Sequence, residues 1–242
     1  MQTVFIVGNS RSGTTMLGRI LDMNKEIYTF PELHFFEQLC QSNGTLLNLE
    51  KAQKLFSRLL HLNRDGYFAE RDDMKYLSEA RQCVDEMDIK NILELDVFAK
   101  FIEFETKNAR ATIACKQTPR YIFFLPEILN YFQTPCILHM VRDPRDVLLS
   151  QKNRWQRRKF SRGNVPLKQV VRMWMNYHPI TISKLWKSNQ KMGISHRENN
   201  NYHLIKFEDF LGNPSENIKK ICKYIDVNFS EEMLAVPNVG SS

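Results

Sequence analysis

Residues 4–15, VFIVGNSRSGTT, constrain the fold more than any other part of the chain. A short apolar run at 4–7 predicts a buried strand, and a small polar loop follows at 8–15. Apolar residues then recur at helical spacing from Met16 to Leu21, so we expect the loop to end at a helix N-terminus. A strand, loop and helix of this kind can hold phosphate, because the first-turn N–H groups lack intrahelical partners and the helix dipole favours negative charge.

The composition of this loop differs from that of ATP-binding loops. Gly8 and Gly13 occupy the two glycine positions of the pattern G-x-x-x-x-G-K-[ST], but Thr14 stands where that pattern has Lys. The cation of the loop is Arg11, which precedes Gly13 instead of following it. A guanidinium can hold two oxygens at once, and its position here favours a phosphate-bearing donor other than ATP.

The rest of the chain alternates short apolar runs with helical patterns. After a first strand at 3–8, strands are expected at 112–115, 136–141 and 203–207, and helices at 14–23, 95–107, 121–132, 143–152, 167–188 and 215–225. Apolar strands that alternate with helices predict an α/β fold, with a parallel sheet flanked by helices on both faces. We expect a single domain over residues 1–242, in which the polar, mostly helical residues 44–94 form an inserted helical cap.

A phosphate-binding type of loop or a cationic side chain follows each of three predicted strands. The loop at 8–15, Lys116 and Arg142 each come directly after a strand. Ligands of parallel sheets bind at the carboxyl ends of the strands, so we expect these residues to form one site.

A second segment gives this site a more specific character. Arg142 follows the apolar run CILHMV, and Ser150 lies eight residues later on the next predicted helix. Together, the loop RSGTT and the segment VRDPRDVLLS resemble the 5′-phosphosulfate and 3′-phosphate segments of sulfotransferases that use 3′-phosphoadenosine 5′-phosphosulfate (PAPS). Those enzymes have a P-loop-like fold.

Further matches extend the resemblance over most of the chain. Glu32 follows Arg11 by 21 residues, Lys116 comes after a central strand, and 201–227 resembles a late strand, acidic turn and helix. These features are similar to the branch that contains tyrosylprotein sulfotransferases and many bacterial relatives. Family members usually continue into a basic or aromatic tail that covers the cofactor. Because the chain stops at Ser242, we expect that closing element to be missing here.

The resemblance implies a role for each matched residue. Glu32 is the expected general base, while Arg11 and Lys116 are expected to neutralise charge on the sulfuryl group and the leaving 5′-phosphate. His34 is a rival base, and Arg120 is a possible second cation. The residues expected to bind PAPS, or its product adenosine 3′,5′-bisphosphate (PAP), are Arg11, Ser12, Gly13, Thr14, Thr15, Arg142 and Ser150.

Two other classes of protein stay open from the sequence. One is a P-loop kinase of nucleotides or small molecules, which the missing loop Lys disfavours. The other is a non-catalytic protein that binds adenosine bisphosphate or another anion. Glu32 argues against that class, because an anion binder gains nothing from a carboxylate beside the sulfuryl group.

Composition limits the partners further. The net charge of +7 favours anionic ligands, and the five Cys, an odd number without C-x-x-C spacing, disfavour a disulfide framework or zinc site. We expect no metal, no nucleic acid and no membrane span.

Met1 leads straight into the first strand, which predicts a cytoplasmic protein. The acceptor is expected to be a hydroxyl of a small molecule, carbohydrate or peptide.

Overall fold

The computed structural model of the chain describes residues 1–40, 46–72, 74–87, 91–160 and 178–235, with only the backbone described at 154–160. Five parallel strands form the main sheet in the order β2-β5-β1-β6-β7, and two short strands, β3 and β4, form an antiparallel pair. The strands are β1 (Gln2–Gly8), β2 (Ile27–Phe30), β3 (Leu46–Leu47), β4 (Ile92–Leu93), β5 (Ile113–Gln117), β6 (Cys136–Val141) and β7 (Tyr202–Lys206).

Helices connect these strands and cover the sheet. The α-helices are α1 (Thr14–Asp22), α2 (Leu49–Arg64), α3 (Leu77–Asp85), α4 (Glu94–Asn108), α5 (Leu125–Tyr131), α6 (Pro144–Phe160), α7 (Pro179–Ser195), α8 (Phe207–Gly212) and α9 (Pro214–Tyr224). A π-helical turn, Phe35–Leu39, and two 3-10 helices, Pro119–Phe124 and Glu231–Leu234, complete the described elements. Among the described helices, none is long and apolar enough to cross a membrane.

The central strand β1 supplies both halves of the core. Its side chains alternate, so Phe5 packs into an apolar cluster with residues of α2 and α4, while Ile6 packs into a second cluster with residues of α1 and α9. Helices therefore lie on both faces of the sheet, and the predicted α/β fold with a parallel sheet is confirmed.

The segment 44–94 holds two helices where it is described. The apolar faces of α2 and α3 join the cluster around Phe5, to which α2 contributes Phe56 and α3 contributes Val84. Arg64 of α2 also bridges Glu79 of α3 and Glu105 of α4. The expectation that this segment is an inserted cap within one domain stays a prediction.

Several boundaries differ from those that the sequence predicts; α6 continues to 160 and α7 to 195, beyond the predicted ends at 152 and 188. The edge strand β2 was not predicted, because IYTF is short and only its two end residues are buried. The helix expected at 121–132 is divided into a 3-10 helix and α5, since Pro126 fits a first helical turn but not a helix interior. β5 extends beyond the predicted 112–115 and includes Lys116 and Gln117. Residues 167–177 of the helix expected at 167–188 lie outside the described residues.

A buried polar cluster joins β6, β7 and α7. His139 is fully buried; its Nε2 lies 2.9 Å from Oδ1 of Asn189, and its Nδ1 contacts the Tyr202 hydroxyl. The Asn189 oxygen can only accept, so Nε2 carries the hydrogen; burial lowers the pKa of His139 to about 4, so Nδ1 is unprotonated near neutral pH and accepts from the Tyr202 hydroxyl. Gly193 leaves room for this ring, because a Cβ there would lie 2.6 Å from it. The cluster thus uses a neutral imidazole.

Candidate active site

The loop between β1 and α1 depends on two glycines. A Cβ at Gly8 would collide with the Met140 carbonyl oxygen of the adjacent strand. Gly13 has a φ of 91°, and a Cβ there would lie 2.5 Å from the Phe207 ring. Arg11, which is not a glycine, also has a left-handed φ of 73°. Close packing and backbone conformation thus explain why the loop is rich in small residues.

The start of α1 offers hydrogen-bond donors at this loop. The N-cap residue of this helix is Gly13, which has no side chain to cap it, so Gly13 satisfies none of the first-turn N–H groups of α1. The Ser12 side chain is fully buried, and its Oγ has no hydrogen-bond partner among the described residues. A buried unpaired hydroxyl beside a helix N-terminus fits a phosphate or sulfate group.

Arg11 of this loop comes together with Arg142 and Ser150 of the segment that follows β6. The Arg11 Nε donates to Ser150 Oγ at 3.0 Å, and Arg142 Nη1 donates to the Arg11 carbonyl at 3.1 Å. The Arg142 guanidinium lies 4.4 Å from the centre of the Phe207 ring. Its Nε is buried and has no hydrogen-bond partner in the described part of the chain. Two guanidinium groups and a hydroxyl thus form a cationic cluster, in which the Nε of Arg142 is available to donate to a ligand.

Glu32 lies just beyond β2, and its side chain is 40% exposed. Its Oε1 accepts a hydrogen bond from Gln117 Nε2 at 3.1 Å, and its Oε2 lies 3.5 Å from His34 Nε2. The other ring nitrogen of His34 lies 3.3 Å from Glu37. The hydrogen bond with Glu37 raises the pKa of His34. Glu32 is therefore held from two sides and remains open to solvent.

The structure does not bring Lys116 to the loop. Its side chain is only 1% exposed, and its Nζ lies 3.4 Å from the centre of the Phe30 ring, with no hydrogen-bond partner among the described residues. Phe98 and Phe101 also surround the amine. Burial lowers the pKa of Lys116 well below its usual value. In this arrangement the amine points away from the loop, and the contact with the donor expected of Lys116 stays a prediction.

Strand alternation explains why the side chain of Gln117, and not that of Lys116, points toward α1. Neighbouring residues of β5 point to opposite faces, so Lys116 turns into the aromatic core while Gln117 turns toward α1. Gln117 is not among the predicted site residues, because the predicted strand ends at 115. Counting along the full strand from Ile113 places Gln117 on the same side as Ile113 and Cys115, which pack against α1.

The described site residues are spread along one edge of the sheet. In strand order, Glu32 follows β2, Gln117 ends β5, the loop follows β1 and Arg142 follows β6. Because parallel strands are spaced about 4.8 Å apart, Glu32 and Arg142 are separated by roughly 14 Å of sheet. Arg120, the possible second cation, is exposed, and its positive charge acts to lower the pKa of His34. The described residues include no group of His, Cys, Asp or Glu that could hold a metal.

A protein-family model described as "Sulfotransferase family" matches residues 3–231. The chain belongs to the sulfotransferase family. No curated protein matches this sulfotransferase significantly. The match confirms the predicted membership of the sulfotransferase family and supports sulfotransfer in general.

Solved structures share the fold of this sulfotransferase. The sulfotransferase domain of the Synechococcus PCC 7002 olefin synthase is 21% identical and has a TM-score of 0.61; the match covers 100% of this chain and 78% of that one. The sulfotransferase domain from the curacin biosynthetic pathway is 20% identical with a TM-score of 0.58, covering 96% and 76%. A sulfotransferase from Alicyclobacillus acidocaldarius is 18% identical with a TM-score of 0.53, covering 94% and 82%.

Proposed function

We propose that this sulfotransferase moves a sulfuryl group from PAPS to an acceptor hydroxyl, with Glu32 as the general base. The observation that carries the proposal is the cluster of Arg11, Arg142 and Ser150, in which the loop after β1 meets the segment after β6. ATP has no 3′-phosphate, so a second cationic subsite of this kind favours a 3′-phosphorylated nucleotide.

The unpaired polar atoms of the site fit PAPS. Ser12 Oγ and Arg142 Nε are both buried without partners in the described structure, and an anionic ligand would satisfy them. Ser12, Gly13, Thr14 and Thr15, together with the N-terminus of α1, would hold the phosphosulfate. Arg142 and Ser150 would hold the 3′-phosphate, with Arg11 between the two groups because it contacts Ser150.

When bound, PAPS supplies an activated sulfuryl group: one S–O bond forms to the acceptor oxygen as the S–O bond to the 5′-phosphate breaks, and PAP leaves. Glu32 accepts the proton of the acceptor hydroxyl, so its carboxylate becomes a carboxylic acid that later returns the proton to solvent. Its solvent exposure supports this role, since an acceptor can reach it. Arg11 stabilises the negative charge that develops on the 5′-phosphate.

The catalytic contribution expected of Lys116 stays a prediction that the described geometry does not favour, because the amine lies in an aromatic pocket. The acceptor is proposed to be a hydroxyl of a small molecule, carbohydrate or peptide. A cytoplasmic location also stays a proposal.

Nucleotide binding tests the donor. PAP should raise the melting temperature clearly more than adenosine 5′-phosphate, since only PAP carries a 3′-phosphate for Arg142 and Ser150. A ligand at 100 times its Kd stabilises by about 2.7 kcal/mol. ATP serves as the control for a kinase. Equal shifts from PAP and adenosine 5′-phosphate would contradict the 3′-phosphate site, and PAP binding without release of sulfate from PAPS would favour the non-catalytic class.

A further inference from the structure

Gln117 connects the two halves of the candidate site. Its side-chain nitrogen, Nε2, lies 3.2 Å from Thr15 Oγ1 and 3.1 Å from Glu32 Oε1. Thr15 belongs to the start of α1, on the nucleotide side, and Glu32 lies on the acceptor side. A primary amide nitrogen carries two hydrogens, so Gln117 can donate one to each oxygen.

The position of Gln117 is fixed by packing as well as by hydrogen bonds. The residue is 6% exposed and sits at the end of β5, where strand pairing holds its backbone against β1. Helix α1 has a glycine where the Gln117 side chain passes; a Cβ at Gly18 would lie 3.1 Å from Gln117 Cγ. A buried amide held in this way has little rotamer freedom and can orient the groups that it contacts.

Glu32 gains its orientation from these contacts. The carboxylate follows a short edge strand and is partly exposed, so its own segment restrains it weakly. Gln117 donates to Oε1, which leaves Oε2 and the remaining lone pairs for an acceptor proton and for His34. An amide donor is neutral, so it fixes the carboxylate without adding a charge.

We propose that Gln117 is a positioning residue for the general base: its amide nitrogen donates to Glu32 and is itself fixed against the start of α1 by its contact with Thr15. This inference rests on the proposed function. It differs from that proposal in its consequence: Gln117 touches neither substrate, so its loss lowers the rate of the chemical step and leaves nucleotide affinity in place.

The test compares Gln117→Met, which keeps side-chain length and removes both N–H donors, with the matched control Gln2→Met. Gln2 is also a hydrogen-bonded Gln of the main sheet, but its amide bonds Ile225 O at the opposite end of the strands. For each protein we measure the Kd for PAP by calorimetry and kcat for release of labelled sulfate from PAPS in water, so that no acceptor is needed.

Gln117→Met is expected to lower kcat roughly 10- to 100-fold, the loss of one hydrogen bond to a charged group, while the Kd for PAP changes less than about threefold. Gln2→Met is expected to keep kcat. In Gln117→Glu, a second carboxylate beside Glu32 is expected to move the acid limb of the pH–rate profile to higher pH.

The outcomes separate this inference from the proposed function. If the wild type fails to bind PAP, or binds PAP but releases no sulfate from PAPS, the proposed function fails and the inference fails with it. If the wild type is active and Gln117→Met keeps its kcat, the inference alone is overturned. It is also overturned if Gln117→Met loses PAP affinity as much as kcat, because Gln117 would then support the loop and not the base. Where Gln117→Met does not fold, the pH profile of Gln117→Glu decides.

Discussion

Arg11 and Ser150 are separated by 139 residues in the sequence, and the Nε of Arg11 donates a hydrogen bond to the Ser150 hydroxyl at 3.0 Å. The contact joins the loop after β1 to the helix after β6, two strands that pair in parallel. A nucleotide that carries phosphates at both its 5′ and 3′ positions can therefore be held by one continuous group of donors.

Arg142→Ala is expected to weaken PAP binding roughly 10- to 150-fold and to leave adenosine 5′-phosphate binding nearly unchanged, because a charge-assisted hydrogen bond to the 3′-phosphate contributes about 1.5–3 kcal/mol. Calorimetric Kd values for both nucleotides check this. The control is Arg145→Ala, three residues further on at the start of α6, where the guanidinium is 87% exposed and pairs with Asp143. An equal loss in the control would mean that general positive charge, not Arg142, binds the nucleotide.

Glu32→Gln is expected to lower turnover by roughly 10²–10⁴, the usual contribution of general base catalysis, without changing PAP affinity. The substitution keeps the shape of the side chain and removes its basicity. Glu198→Gln, at an exposed position, is the control and should keep full turnover. If Glu32→Gln retains wild-type turnover where chemistry limits the rate, His34 becomes the base to test next, since it lies 3.5 Å from Glu32.

Lys116→Met is expected to stabilise the fold by about 1–3 kcal/mol near neutral pH, because it removes a buried polar group without a hydrogen bond. Burial lowers the pKa of Lys116 in the folded state, so the unfolded chain binds more protons than the folded one between that pKa and 10.5. The wild type should therefore gain stability as pH rises through this window. Denaturant unfolding at several pH values should show a smaller gain in the variant.

The same variant tests the role that the sequence predicts for Lys116. PAP affinity and sulfate release that match the wild type would exclude the amine from the donor site. A large loss of turnover with a folded protein would instead show that Lys116 leaves its aromatic pocket when the donor binds.

Acid is expected to destabilise the fold through His139. Burial lowers the pKa of His139 from 6.5 to about 4. Between these two pH values the unfolded state binds a proton that the folded state does not bind. Stability is present above pH 6.5 and is lost as pH falls toward 4, by at most about 3 kcal/mol. His139→Gln should show a shallower decrease across this range in denaturant unfolding, although it is less stable at pH 7. An unchanged slope would assign the acid sensitivity to other groups.

Much of the fold could be predicted from local patterns. The apolar runs of β1 and β6 are continuous because both faces of these strands are covered, and that pattern is visible in the sequence. β2 could not be predicted in this way, because an edge strand of four residues with a half-exposed centre lacks both a continuous run and a strict alternation. The residue that it carries to the site, Glu32, was found only through its spacing from Arg11.

The candidate site was predictable to the level of strand ends and not of side-chain direction. The loop after β1 contacts Arg142 and Ser150, as expected from the sequence, because parallel strands end on the same edge of the sheet. Lys116 and Gln117 could not be distinguished, since a shift of one residue in a strand reverses which side chain faces the ligand. The identity of the acceptor has no comparable local pattern.

The order of the strands also has a consequence for biosynthesis. β1 is the first strand of the sheet to be synthesised, yet its partners β5 and β6 follow roughly 110 to 130 residues later. At about 5–20 residues per second on the ribosome, about 6–26 s pass between synthesis of the apolar segment of β1 and synthesis of the strands that pair with it. During that time it is a site for chaperone binding or aggregation. The loop that follows β1 therefore acquires its shape only when the second half of the sheet has emerged.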